Sequence, residues 1–84
     1  MIDPKHVRPL LTQLCVELGF CLPPAEGAKL CAHPPVTVTE FTVAVFVAEG
    51  MDPERSDRYL FRQVQDRVAE AFERSEEQRL GENL

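Results

Sequence analysis

Four residues could together do metal or thiol chemistry: Cys15, Cys21, Cys31 and His33. They are the one concentration of soft ligand types in the chain, spaced C-x5-C-x9-C-x-H. A structural zinc ion would need all four to converge as a tetrahedron of thiolates and imidazole. That spacing lacks the paired C-x-x-C knuckle of the common zinc frameworks. Cys15 also falls at an apolar helical position, where a free cysteine behaves as a small hydrophobe. The cysteine count is odd, a poor disulfide framework, and the expectation is three reduced thiols with no bound metal and no cofactor.

Nucleophilic and acid–base candidates are fewer still. His6 and His33 could serve as general bases, but no partner for either can be identified. Ser56 and Ser75 lie in or at the ends of a charged helical segment, without the G-x-S-x-G turn that exposes a nucleophile. The four glycines are dispersed, so no phosphate-cradling loop exists. No catalytic residue is assigned, and the expectation is that the chain is not an enzyme. Arg55, Arg58 and Arg62 recur at three- and four-residue spacing and could read phosphate or acid, as a DNA-recognition helix does. Glu54, Asp57 and Asp66 balance them, and the whole chain carries a net charge of −5 with a pI near 4.9. That balance argues against nucleic acid or an anionic membrane surface as partner.

These residues must be positioned by helices. Asp3-Pro4 is a helix start, an N-cap acid followed by proline at the first helical position. Val7, Leu10, Leu11, Leu14, Cys15 and Leu18 follow at helical spacing, and Gly19 stands where a left-handed cap would end them. This predicts a helix over 4–18, bent near Pro9. A short second helix, 24–32, opens at Pro24 and stops before Pro34-Pro35. The fourth and longest, 53–75, is expected to open at Asp52-Pro53, with Leu60, Val64, Val68 and Phe72 in step and Phe61 and Ala71 alongside.

The third segment, VTVTEFTVAVFVAE, is ambiguous by composition, since its β-branched residues favour a strand. Helix is preferred. Thr37 to Glu40 forms a capping box, Gly50 supplies a stop, and there is no second strand for it to pair with. The predicted helix covers 38–49. Its stripe of Val38, Phe41, Val45 and Ala48 leaves Val43, Phe46 and Val47 on another side. A helix apolar nearly all round is central or covered by another molecule.

The expected fold is therefore all-α, a bundle of four helices in one domain over 1–76. A polar, frayed tail over 77–84 completes the chain. Glu82-Asn83-Leu84 matches the opening of a cleavage site commonly appended to recombinant proteins and fits a native end equally well. The chain has 84 residues, of which 44% are hydrophobic, enough for a folded domain but only a modest core. No apolar run approaches the ~18 residues that span a bilayer, and the chain reads as cytoplasmic.

On these grounds the expected function is a small non-catalytic module that self-associates or docks on another protein through Val43, Phe46 and Val47. The alternatives are a metal-binding or small catalytic protein using the Cys/His cluster, and a nucleic-acid-binding regulator using the arginine-bearing fourth helix.

Overall fold

A computed structural model describes residues 2–82, and the side chains of residues 2–78. Four helices follow one another: α1 over Pro4–Leu18, α2 over Pro24–Ala32, α3 over Val38–Ala48 and α4 over Arg58–Glu82. Among the described residues there is no strand. The fold is a small all-α bundle.

The local signals for the first three helices act as the sequence suggests. The Asp3 carboxylate accepts from the Lys5 amide at 3.0 Å. Ile2 and Val7, both buried, occupy the two positions of a hydrophobic staple across that cap. α1 runs continuously through Pro9. Gly19 ends it at φ 78°, with its own amide on Cys15 O and the Phe20 amide on Leu14 O, both at 3.1 Å. The Gly19–Cys15 bond is that of an αL cap, which needs the left-handed backbone a glycine adopts without strain. Gly50, also left-handed, ends α3 with a Schellman pair: its own amide reaches Val47 O and the Met51 amide reaches Phe46 O, both at 2.9 Å. Thr37 Oγ1 accepts from the Glu40 amide at 3.1 Å and opens α3.

α4 departs from expectation at both ends. Asp52 does turn the chain: its carboxylate accepts from the Glu54 amide at 2.9 Å and its carbonyl from Ser56 Oγ at 2.6 Å. Those bonds close a single turn that stops, because the serine hydroxyl occupies the acceptor a continuing helix would use. The effective N-cap is Asp57, whose carboxylate accepts from the Tyr59 amide at 2.7 Å. At the other end α4 continues to Glu82, so 77–82 extend the helix rather than forming a frayed tail. Glu76, Glu77 and Gln78 are polar but strong helix formers, and polarity alone does not end a helix. Asn83 and Leu84 lie outside the described residues.

α4 is the spine. It runs antiparallel to α1, a register fixed at one end by the Asp3 amide donating to Ser75 Oγ at 2.8 Å. At the other end the Arg67 guanidinium stands 3.5 Å from the Glu17 carboxylate. α3 packs on α4 antiparallel as well. Phe41 meets Phe72 edge to face at 6.1 Å, and Phe46 stacks obliquely on Phe61 at 5.2 Å. Phe46 also touches Phe20 at 4.9 Å, which ties the loop after α1 to α3. At about 1.5 Å per residue, the 25 residues of α4 span most of the 44 Å long axis of the molecule.

α2 folds back on α1 as a helical hairpin. A Cβ built on Gly27 would sit 3.7 Å from Leu11 Cδ1, ordinary van der Waals contact. Gly27→Ala should therefore stabilise the domain by up to about 1 kcal/mol, the helix-interior preference for alanine. Urea unfolding reads it out. A lower midpoint would mean that α1 and α2 lie closer than this contact allows.

Candidate functional site

The buried arc of α3 is rotated from the one the sequence suggests, and this decides which of its apolar residues face outward. Phe41, Thr42, Val45 and Phe46 are buried. At about 100° per residue, Phe46 lies about 40° from Thr42 and about 60° from Val43. Taking Thr42 as a polar flank puts Phe46 outside the core. In fact Thr42 is fully buried, its hydroxyl donating to Val38 O at 2.8 Å. A threonine satisfied by its own helix can join the core, and Phe46 comes in beside it. The expected interface residue Phe46 is thus a core residue of the single chain, held between Phe20 and Phe61.

Val43 and Val47 do face outward, 37% and 60% exposed. They lie about 40° apart on the helix. Val36, just before α3, is exposed to the same extent as Val47. Thr39 and Glu40 are the exposed polar residues nearest this apolar strip.

The cysteines are not three free thiols. Cys15 and Cys21 form a disulfide, with Cα atoms 4.3 Å apart, and Cys31 alone is free and half-buried. The physical cause is the Gly19 cap, which reverses the chain one turn after Cys15 and carries Cys21 back over it. An odd count is compatible with one bond and one free thiol. The predicted left-handed cap between two cysteines was the informative signal. All three cysteines border one apolar groove of about 380 Å³ between α1 and α2, together with Leu11, Val16 and Leu22, and with Arg8 at its edge.

Within the groove the disulfide and Cys31 are held apart. Leu11 faces Gly27 across the hairpin. Cys15 lies one turn from Leu11 toward the connecting loop, and Cys31 one turn from Gly27 away from it. His33 is exposed at the C-cap of α2, beyond the groove. Among the described residues no group of three or more His, Cys, Asp or Glu side chains could hold a metal ion.

The arginines are likewise separated. Arg55 sits in the turn before α4 and pairs with Asp52 at 3.6 Å, both largely exposed. Such a pair contributes little. Arg58 and Arg62 are exposed on the first turns of α4 itself. Ser56 and Ser75 are both structural, the first closing the Asp52 turn and the second holding the N-terminal segment to α4. No helix among the described residues is long and apolar enough to cross a membrane.

This is an all-α bundle with one outward apolar strip on α3 and one disulfide-bordered groove. No family model matches the chain, and neither a curated protein nor a solved structure shows detectable similarity to it.

Proposed function

We propose that the protein is a non-catalytic interaction module whose contact surface is the outer face of α3, and that the occupant of that face is a second copy of the chain. The observation that carries this reading is the exposure of Val43 and Val47 side by side on a helix whose other large apolar residues are buried or half-buried. Two α3 helices related by a two-fold axis and running antiparallel place Val43 of one copy beside Val47 of the other and move both Glu40 side chains to the rim. A two-fold contact is the commonest arrangement for a small homo-oligomer.

The magnitude expected is small. Complete burial of a valine is worth roughly 1.5 kcal/mol or somewhat more. Association costs about 4–15 kcal/mol in lost freedom. A strip of this size therefore supports weak, concentration-dependent dimerisation rather than an obligate dimer. Sedimentation of the wild type should show a reversible monomer–dimer equilibrium at high protein concentration. The double variant Val43→Glu/Val47→Glu should stay monomeric with an unchanged helical spectrum, since both side chains are open to solvent. A wild type that remains monomeric throughout, or a double variant that dimerises equally well, removes self-association through α3.

The alternatives draw less support. A metal centre on Cys15, Cys21, Cys31 and His33 loses two of its four ligands to the disulfide. A nucleic-acid stripe loses Arg55 from the helix that would carry it. The cytoplasmic placement read from the sequence is harder to hold beside a Cys15–Cys21 bond, because such bonds persist chiefly in oxidising surroundings.

A further inference from the structure

A second cavity, of about 170 Å³, opens on the seam between α1 and α4. It is lined by His6, Pro9, Leu10, Gln13, Ala71 and Arg74. Its place in the fold is well defined. Positions 6, 10 and 13 follow one another down one side of α1, and 71 and 74 are one turn apart on α4. The antiparallel register set by Asp3–Ser75 and Glu17–Arg67 brings the two sets together.

Two polar groups there have unused capacity. His6 Nε2 is shut off from solvent and has no hydrogen-bond partner. Buried polar atoms in this state are uncommon and call for a reason. Arg74 donates through Nε to the Glu70 carbonyl of its own helix at 3.5 Å. No carboxylate among the described residues pairs with its guanidinium. The third polar wall is the Gln13 amide, and the remaining walls, Pro9, Leu10 and Ala71, are apolar.

We propose that this cavity is a binding site for a short-chain monocarboxylate. The carboxylate accepts from the Arg74 guanidinium, whose fork matches its two oxygens. It accepts as well from the Gln13 amide, and the His6 ring, whose Nε2 is closed to solvent in the free protein, turns to donate to it and so gains the partner it lacks. The aliphatic end lies against Pro9, Leu10 and Ala71. A monoanion fits better than phosphate for two reasons. Among the described residues Arg74 is the one permanently charged cation lining the cavity, and the chain as a whole carries a net charge of −5, which opposes a dianion. The apolar walls also offer a phosphate nothing to replace its hydration.

The site is remote from the outer face of α3 in its residues and independent of the proposed dimer. Its test uses monomeric concentrations of the full chain, so the two readings fail separately. Isotope-labelled protein is titrated with sodium butyrate at constant ionic strength and followed by NMR. Saturable shifts are expected at the His6 ring and the Gln13 and Arg74 side chains, with a midpoint of roughly millimolar order. Arg74→Gln, at an exposed position that leaves the fold intact, should weaken binding about tenfold or more. Phosphate should bind more weakly than butyrate, and butylamine not at all. The proposal is overturned if no saturable shift appears. It is equally overturned if butylamine shifts the same resonances as butyrate, if phosphate binds as tightly, or if Arg74→Gln binds butyrate as well as the wild type does.

Discussion

Phe46→Ala should destabilise the domain by about 3–5 kcal/mol, the range for removing a buried phenyl ring. The ring is completely buried and lies 4.9 Å from Phe20 and 5.2 Å from Phe61. It thus joins three parts of the chain: α3, the α1–α2 loop and the first half of α4. Its loss leaves a cavity at the meeting point, where no single element can shift to fill the space. At about 0.05–0.15 kcal/mol per residue, an 84-residue domain has only about 4–13 kcal/mol in all. The variant should be much closer to unfolding, with a far lower urea midpoint. Phe46→Glu should not fold, since it would bury an unpaired carboxylate. Val47→Ala, one position on, should change stability by no more than about 0.5 kcal/mol, as exposed substitutions do. A Phe46→Ala variant that loses less than about 1 kcal/mol, or no less than Val47→Ala, would mean that the buried side of α3 has been assigned to the wrong arc.

That contrast between adjacent residues shows where sequence reading succeeds and where it stops. Helix existence and most boundaries were legible because they are set by local chemistry. Asp3-Pro4, Gly19, Thr37 with Glu40, and Gly50 each satisfy backbone groups within a turn of themselves, whatever the rest of the chain does. The apolar ladder Leu60, Val64, Val68 and Phe72 was legible for the same reason of spacing. What failed depends on competition or on tertiary contact. Asp52 and Asp57 are both competent caps five residues apart, and Ser56 between them decides which one starts α4. Thr42 and Ser75 are buried because of what packs over them, and neither residue type nor spacing announces it. At the candidate site Val43 and Val47 are exposed and Phe46 is buried, because the buried arc is centred nearer Thr42 than the apolar spacing alone suggests. The Cys15–Cys21 bond needed the three-dimensional consequence of the Gly19 cap, which a count of cysteines does not contain.

Reduction of that bond should lower stability by about 2 kcal/mol, chiefly by releasing the unfolded chain from a closed loop of about seven residues. The bond fastens Cys21 to the last turn of α1 across Gly19 and Phe20. Phe20 is buried against Phe46, so the staple holds a core side chain in register with α3. In the reduced protein, the backbone bonds of the Gly19 cap and the packing of Phe20 must hold the loop alone. Urea unfolding with and without dithiothreitol measures the difference. The reduced form should also show a slightly steeper dependence on urea, because its unfolded state is less constrained. The double variant Cys15→Ser/Cys21→Ser should match the reduced wild type and ignore the reductant. Cys31→Ser should remain sensitive to it, since Cys31 takes no part in the bond. Thiol titration in denaturant, on protein purified without reductant, should find one thiol per chain, that of Cys31. Three thiols, or a midpoint unmoved by dithiothreitol, would show that the loop after α1 is held by its glycine cap alone. With three thiols the expectation of three reduced cysteines would stand after all, and with it the cytoplasmic placement drawn from the sequence.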